Sequence, residues 1–320
     1  MKSSVNAMNT ISLLIPTHNR VEQLLVTLQS IEKQLVSDAR LIEVIVVANG
    51  CKDNTIDVVN GKIRSFPFTL RLFDEQQLGL PHARNRAIKE AGHEIMAFID
   101  DDVVLAENYL QSMLDCYANN PADLVGGKTE LLWEAVDRPD WLPDELLGLL
   151  SCKDLGDATK EVFLQSDAIG CNFSFHKRVL EKIGGFKIGL GRSGKLLIGG
   201  EETEFIYRAL RDEFRMFYEP KCFLHHWVAP NRPTVKYLTG VANGNAVGFV
   251  FAKPRFGIFK AGKWTVFHTY KLIEHTLKEF LSRLQGNSRN SIFHKIRKHS
   301  QIGFLKGVFL RITGRVKIQN

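Results

Sequence analysis

The sequence predicts an α/β protein whose mostly parallel central sheet is flanked by helices, followed by a basic helical extension. Short apolar runs alternate with segments of helical periodicity over roughly the first hundred residues, a pattern typical of βαβ units and a parallel sheet. Several of these runs end in polar clusters, and such ends are where open α/β sheets bind ligands. The C-terminal segment carries most of the positive charge.

The first half contains four short apolar runs that we interpret as buried strands, with helices between them. Turn-forming residues follow the second run at Asn49-Gly50, and the fourth run leads directly into three aspartates. The predicted strands are Ile11–Pro16, Ile42–Ala48, Thr69–Phe73 and Glu94–Ile99, and the predicted helices are Leu24–Leu35 and Ala83–Ala91.

The second half is less regular, and its strand predictions depend on weaker alternation. A glycine-rich stretch at residues 190–200 predicts a loop. The predicted strands are Ala168–Phe175 and Arg215–Tyr218, the predicted helices are Arg178–Ile183 and Thr203–Arg211, and two amphipathic helices are expected in the tail at residues 267–284 and 292–312.

The net charge of +7 is unevenly distributed along the chain. Residues 253–320 hold 15 Lys and Arg against 2 Asp and Glu, which leaves 27 against 33 for the rest. We interpret the tail as helices that either contact an anionic membrane surface or pack on the domain, and we expect no nucleic-acid partner. Because we see neither a signal peptide nor a membrane span, we expect a cytoplasmic protein, with peripheral contact to the cytoplasmic face of the membrane as one interpretation.

Asp100, Asp101 and Asp102 follow the predicted strand Glu94–Ile99 and suggest a metal site. Adjacent carboxylates repel one another, and a divalent cation relieves that repulsion. Hard oxygen ligands suit Mn²⁺ or Mg²⁺. In an extended segment, Asp100 and Asp102 point to one side and Asp101 to the other. The alternative is a solvated acidic turn. The position of the aspartates directly after a buried strand disfavours this alternative, because ligands bind at such strand ends.

Four segments together resemble family 2 glycosyltransferases, which have the GT-A nucleotide-sugar-binding fold. The resemblance spans residues 11–235, and the order and spacing of the segments make it specific. Residues 170–174 and 184–186 also resemble the acceptor side of that family. The four segments are Ile15–Arg20, Val46–Thr55, residues 79–85 leading into Ala97–Asp102, and residues 199–204.

This resemblance implies a division of the chain and a role for each matching residue. It implies a GT-A domain over residues 1–235, with a nucleotide-sugar half at about 10–125, an acceptor half at 126–235, and the extension at 236–320. Glu202 matches the catalytic base. The implied donor-binding residues are Pro16, Thr17, Asn19, Asn49, Asp53, Arg84, Asn85, Asp100 and Asp101, the acceptor-side residues are Glu201, Glu204 and Asn172, and the metal ligands are Asp102, Asp100 and His226.

The implied activity is metal-dependent, inverting transfer of a hexosyl group from a nucleoside diphosphate sugar. UDP is the favoured nucleotide, and the acceptor is a hydroxyl of a glycan or lipid-linked glycan. Two positions depart from the family pattern: Ala48 stands where an Asp is usual, and the base is Glu202 instead of Asp. One alternative is a nucleotidylyltransferase, which is disfavoured because Pro16–Arg20 stands in place of a glycine-rich basic loop. The other is a non-catalytic relative, which is disfavoured because the sequence keeps both the aspartates and a carboxylate at the position of the base.

Overall fold

The computed structural model of the chain describes residues 9–164, 166, 168–191, 199–253 and 256–314. In these residues, strands and helices alternate through the first half, as predicted. The strands are β1 (Ile11–Thr17), β2 (Ile42–Asn49), β3 (Thr69–Glu75), β4 (Ile95–Ile99), β5 (Val103–Leu105), β6 (Leu124–Leu132), β7 (Lys160–Val162), β8 (Asn172–His176) and β9 (Met216–Trp227). The helices are α1 (Val21–Glu32), α2 (Thr55–Lys62), α3 (Leu80–Glu90), α4 (Tyr109–Asn119), α5 (Lys177–Ile183), α6 (Glu201–Arg211), α7 (Val235–Ala252), α8 (Ile258–Leu284) and α9 (Ser288–Ile312).

One sheet joins all the strands of the described residues, in the order β3-β2-β1-β4-β8-β6-β9-β5, with β7 added on β9. Strands β3, β2, β1 and β4 are parallel, and β8 enters antiparallel to β4. Every residue of β1, β2 and β4 is buried, which explains why these strands are mostly apolar. Because the three strands are parallel, their carboxyl ends lie at one edge of the sheet, where Thr17 ends β1, Asn49 ends β2 and Asp100 follows β4.

The second half differs from the sequence prediction in the lengths of its elements. Strand β9 has 12 residues, whereas a short strand ending at Tyr218 was predicted. Strand β8 begins at Asn172, later than predicted, and Leu35 lies beyond the end of α1 with its side chain exposed. Residues 192–198, which make up most of the predicted loop at 190–200, lie outside the described residues.

The C-terminal segment forms three helices, and the sequence predicted only the last two. Helix α7 packs on α6 and α9, and α8 packs on α9. The prediction missed α7 because its apolar residues occur all round the helix, so no single face stands out. Among the described residues, we find no helix whose length and apolar character would allow it to cross a bilayer.

A buried carboxylate, Glu43 on β2, ties the sheet to the turn before β4. It accepts hydrogen bonds from Ser12 Oγ at 2.5 Å, from the Gly92 N–H at 2.6 Å and from Arg71 at 3.1 Å. Burial alone would raise the pKa of Glu43, but these donors outweigh burial and hold the pKa below its ordinary value.

We therefore expect Glu43→Gln to lower the free energy of unfolding by about 1–3 kcal/mol at neutral pH. Since the folded-state pKa is depressed, the stabilisation is present above the unfolded-state pKa of about 4.3 and is lost as the pH falls through the folded-state value. Urea unfolding of wild type and variant across pH 3–7, taken as roughly the range of carboxylate titration, measures the difference. A difference that stays constant throughout this range would contradict the explanation.

Candidate active site

Asp101 is buried at the carboxyl end of β4, beside the end of β1. Thr17 Oγ1 donates to one carboxylate oxygen at 2.7 Å, and Arg20 donates to the other at 3.1 Å. Burial, followed by the charge of Asp102, raises the pKa of Asp101 to about 6, although Arg20 acts in the opposite direction. Asp101 thus connects the first and fourth strands, and it shares Arg20 Nη1 with Asp102.

Asp102 is buried among cationic and imidazole groups. Its Oδ2 accepts hydrogen bonds from Arg20 and from Arg232, each at 2.9 Å. Its Oδ1 accepts no hydrogen bond within the described residues and lies 3.4 Å from His226 Nε2. A buried carboxylate oxygen without a donor is costly, so this atom is suited to bind a cation.

Asp100 lies near the same imidazole. Its Oδ2 is 3.8 Å from His226 Nε2, and ligand atoms of Asp100, His226 and Cys171 all lie within 4.8 Å of one another. Burial, followed by the charges of Asp100 and Asp102, raises the pKa of Cys171 well above its ordinary value. Sulfur is a soft ligand, whereas Mn²⁺ and Mg²⁺ prefer hard oxygen ligands. Asp100, Asp102 and His226 therefore form a donor set that fits Mn²⁺ or Mg²⁺.

A first cavity of about 470 Å³ opens in front of the aspartates at the ends of β1 and β2. One wall is the segment before α3, which Asn49 holds by donating to the Glu75 and Gln77 carbonyls and accepting from the Gly79 N–H. The lining residues are Pro16, Thr17, His18, Arg20, Asn49, Leu78, Gly79, Leu80, Ala83, Asp100, Asp101 and Arg232. The lining combines apolar and amide surfaces with charged groups of both signs.

Asn19 and Asp53, both predicted to bind the donor, do not line this cavity. Asn19 has a positive φ of 52° and accepts a hydrogen bond from the Lys52 N–H at 2.6 Å. Asp53 accepts from the Val21 N–H and from Thr55 at the start of α2. In this structure both side chains hold together the loops that follow β1 and β2.

A second cavity of about 310 Å³ adjoins the first, and Leu80 and Asp100 line both. Glu202, in the first turn of α6, lines this second cavity together with Glu201 and His226. The Glu202 side chain retains 22% of its exposure, so its carboxylate is partly accessible to a bound molecule. Asp100 and Asp101 in the first cavity and the predicted base in the second thus belong to two cavities that share Asp100, whereas Asp102 is buried behind them and lines neither.

Arg84 is a buried brace between the two halves of the sheet, and Glu201 is its partner. Arg84 donates to Glu201 at 3.0 Å and to the Gly170 carbonyl at 3.0 Å. Its guanidinium lies within 6 Å of the rings of Phe98, Phe173 and Phe186. Both side chains are almost fully buried, so the structure favours bracing over the predicted direct contact of Arg84 with phosphates.

Three other predicted site residues also serve as internal ties and do not line either cavity. Asn85 bonds to the backbone N–H and carbonyl of Phe186. Glu204 is buried and accepts two hydrogen bonds from Arg208 at 2.9 Å. Asn172 is buried, donates to the Lys128 and Cys222 carbonyls and accepts from Tyr109. The acceptor-side roles predicted for Glu204 and Asn172 therefore do not match their positions.

The buried pair of Arg84 and Glu201 should dominate the stability of this region. We expect Glu201→Gln to lower the free energy of unfolding by about 3 kcal/mol, because it removes the nearest counter-charge of a buried guanidinium and leaves the more distant Glu202 carboxylate, 4.0 Å from Arg84 Nη1. Chemical denaturation measures the loss, and Glu107→Gln at an exposed position is the matched control, expected to change stability by less than about 0.5 kcal/mol. Equal stability of the two variants would show that the pair is not a brace.

Arg20, Arg232 and Cys171 belong to the site although the sequence prediction gave them no role. Arg20 lies within Ile15–Arg20, one of the four segments that resemble the family, so the sequence did contain a signal for its role. Arg232 is 130 residues from Asp102 in sequence and approaches it only because the chain turns back after β9.

The sequence model described as "Glycosyl transferase family 2" matches residues 12–184. Glucosyl-dolichyl phosphate glucuronosyltransferase of Haloferax volcanii is 24% identical over 202 residues, covering 62% of this chain and 63% of its own length. Succinoglycan biosynthesis protein ExoM of Rhizobium meliloti is 23% identical over 258 residues, covering 78% and 77%. The chain thus spans less than two thirds of the first of these relatives.

Solved structures show the same fold at low identity. A mannosyltransferase from Pyrobaculum calidifontis, in complex with GDP-Man and Mn²⁺, has a TM-score of 0.58 at 16% identity, covering 97% of this chain and 75% of that one. TarS 1–349 of S. aureus, in complex with UDP, has a TM-score of 0.53 at 15% identity, covering 95% and 92%. The predicted GT-A fold is therefore confirmed, with C-terminal helices present.

Proposed function

The chain belongs to glycosyl transferase family 2, and from this membership we propose that it is a metal-dependent, inverting hexosyl transferase. The observation that carries the proposal is the junction of two cavities at Asp100. Asp100 and Asp101 of the acidic cluster line one cavity, and a partly exposed carboxylate, Glu202, lines the other. A nucleoside diphosphate sugar in the first cavity and a hydroxyl acceptor in the second would meet at this junction. This proposal assigns residues 10–125 to the donor and 126–235 to the acceptor.

On the donor side, we assign the nucleoside to the part of the first cavity lined by Pro16, Thr17 and Asn49. The diphosphate would lie toward Arg20 and Arg232, whose positive charges stabilise the leaving group as its bond to the sugar breaks. Both arginines already contact Asp102, so they are positioned at the acidic cluster before any donor binds. Asn19, Asp53, Arg84 and Asn85 would act indirectly, by holding the surrounding loops in place.

Asp100, Asp102 and His226 would hold Mn²⁺ or Mg²⁺. A bound cation of this kind supplies positive charge that neutralises the diphosphate. The donor atoms fit this role because Asp102 Oδ1 is buried without a hydrogen bond and both aspartates lie within 4 Å of the same imidazole nitrogen. Arg20 and Arg232 offset only part of the negative charge of the three aspartates, so a bound cation would neutralise the remainder.

On the acceptor side, Glu202 would be the general base. As the acceptor oxygen attacks the anomeric carbon, the bond from that carbon to the diphosphate oxygen breaks on the opposite face. The hydroxyl proton passes to the Glu202 carboxylate, and the configuration at carbon inverts. Glu201 would keep α6 in place through Arg84, so that Glu202 points into the cavity.

We favour UDP as the nucleotide and a glycan or lipid-linked glycan as the acceptor, within the synthesis of a polysaccharide or cell-surface glycan. One relative carries a glucosyl-dolichyl phosphate in its name, and another is named for succinoglycan biosynthesis. The structural neighbours were solved with UDP and with GDP-Man, so both nucleotides belong in any test.

A donor panel tests the proposal. Purified protein is incubated with UDP-, GDP- and dTDP-sugars, with Mn²⁺, Mg²⁺ or a chelator, and the released nucleoside diphosphate is measured. We expect release from one nucleotide class, dependent on the cation. Release of pyrophosphate from a sugar phosphate and a nucleoside triphosphate would instead identify a nucleotidylyltransferase. Absence of any release with every donor and acceptor tried would indicate a non-catalytic protein.

A further inference from the structure

Helix α8 presents a row of large apolar side chains to solvent and a mixed apolar and polar side to the protein. The residues that it buries against the neighbouring helices are Ala261, His268, Glu279 and Ser282. On the opposite side lies a continuous row of large apolar side chains, which we call the α8 outer face. It consists of Phe259, Val266, Tyr270, Ile273, Leu277 and Leu284, each more than half exposed.

The spacing of these residues shows that they form one stripe. They follow one another at intervals of three, four or seven residues, which places them on one side of a helix with 3.6 residues per turn. A helix of 27 residues extends about 40 Å at 1.5 Å per residue. An exposed apolar surface of this length on a folded protein indicates an interaction site.

The charges around the α8 outer face are positive. Lys260, Lys263 and Lys278 are exposed along or beside the stripe. The acidic residues of α8 and α9 are both neutralised internally: Glu274 pairs with Lys271 and Lys278, and Glu279 is buried with Arg283 and Lys298. The surface therefore combines apolar side chains with cationic groups and, within the described residues of these two helices, has no uncompensated carboxylate.

We propose that the α8 outer face binds to the surface of an anionic lipid bilayer, with α8 lying in the plane of the interface. Apolar side chains would enter the boundary between headgroups and acyl chains, while the lysines contact lipid phosphates. This inference is independent of the proposed transferase activity, since it depends only on the exposure and charge of α8.

The charge pattern favours a bilayer over a second copy of the chain. Self-association through the α8 outer face would bring the lysines of two copies together around an apolar contact, and the acidic residue beside this face, Glu274, is already paired with Lys271 and Lys278. An anionic bilayer supplies the opposite charge along the whole length of the helix. The stripe does not pack onto the domain in this structure, because each of its residues is more than half exposed.

Vesicle flotation with the full-length protein tests the proposal. We expect the wild type to float with vesicles of phosphatidylcholine and phosphatidylglycerol, and much less with phosphatidylcholine alone. The triple variant Phe259→Gln, Ile273→Gln, Leu277→Gln should partition at least about tenfold more weakly. Lys260→Gln and Lys263→Gln should each weaken binding to the anionic vesicles by about fivefold. Because all five positions are exposed, thermal unfolding should be unchanged.

The matched control is Leu35→Gln combined with Phe163→Gln, which removes exposed apolar side chains from the catalytic body, and it should float like the wild type. Flotation that is the same for the triple variant, or independent of phosphatidylglycerol, would overturn the proposal. A wild-type dimer that the triple variant converts to a monomer in light scattering would overturn it in favour of self-association. Nucleotide release measured without vesicles reports on the transferase separately.

Discussion

Glu202→Gln is expected to lower kcat by about 10²–10⁴-fold while leaving donor affinity close to that of the wild type. The substitution removes the carboxylate that we propose takes the acceptor proton, and general-base catalysis contributes a factor of this size. Donor affinity should persist because Glu202 lines the second cavity and is absent from the lining of the first. Steady-state transfer rates and nucleotide titration by calorimetry measure the two quantities.

Two further variants sharpen this test. Glu202→Asp restores a carboxylate that is one methylene shorter, so it should recover part of the activity lost in Glu202→Gln. Glu181→Gln makes the same chemical change at an exposed position on α5, and it should behave as the wild type. If Glu202→Gln kept the wild-type kcat, the proton acceptor would have to be another group.

Asp102→Asn is expected to weaken Mn²⁺ binding and to lower kcat/KM by at least about 100-fold. The amide keeps the shape of the side chain but removes the charge, and it replaces a carboxylate oxygen with an amide group beside His226. Mn²⁺ affinity, followed by electron paramagnetic resonance in the absence of substrate, gives a measure that does not depend on turnover. Asp57→Asn, at an exposed position on α2, is the control and should leave both quantities unchanged.

The Asp102 variant also changes the environment of two arginines, so its stability must be measured beside its activity. Arg20 and Arg232 each donate to Asp102, and Arg232 is buried. A variant that folds but no longer binds Mn²⁺ supports the assigned ligand role. A folded variant with wild-type Mn²⁺ affinity would remove Asp102 from the metal site.

The first half of the fold was predictable because its strands are buried on both faces. Strands β1, β2 and β4 are apolar runs of five to eight residues, and their ends bring Thr17, Asn49 and Asp100 to one edge. Asp100 and Asp102 both lie beside His226, as expected from the sequence, but Asp101 is not separated from them: it accepts from Thr17 and shares Arg20 Nη1 with Asp102.

The roles of individual polar residues were harder to predict, because a side chain's partner depends on packing between distant segments. Arg84 and Glu201 are 117 residues apart, and their pairing follows from the way α3 and α6 meet at the sheet. Glu204 lies two residues from Glu202, yet the turn of the helix directs it to Arg208 instead of the cavity. Nothing in the local sequence distinguishes a glutamate that faces a cavity from one that faces an arginine.

The amphipathic pattern of α8 was also visible in the sequence, but the side of the helix that faces the protein was not. Periodicity shows that apolar residues share a face, and the usual interpretation places that face inward. In the structure the buried side is mixed, with His268 and Glu279 beside Ala261, and a row of large apolar residues faces solvent. This inversion depends on contacts with α9, including the hydrogen bond between His268 and Gln301 at 2.7 Å and the pair of Glu279 with Lys298.

The central claim is that one nucleoside diphosphate and one divalent cation bind where the two cavities meet. Its most direct test is a crystal structure of the protein with UDP or GDP and Mn²⁺, using the anomalous signal of manganese. We predict a manganese peak among Asp100, Asp102 and His226, with the nucleoside beside Asn49 in the first cavity. A manganese peak away from these three side chains, or a nucleotide bound outside the first cavity, would contradict it.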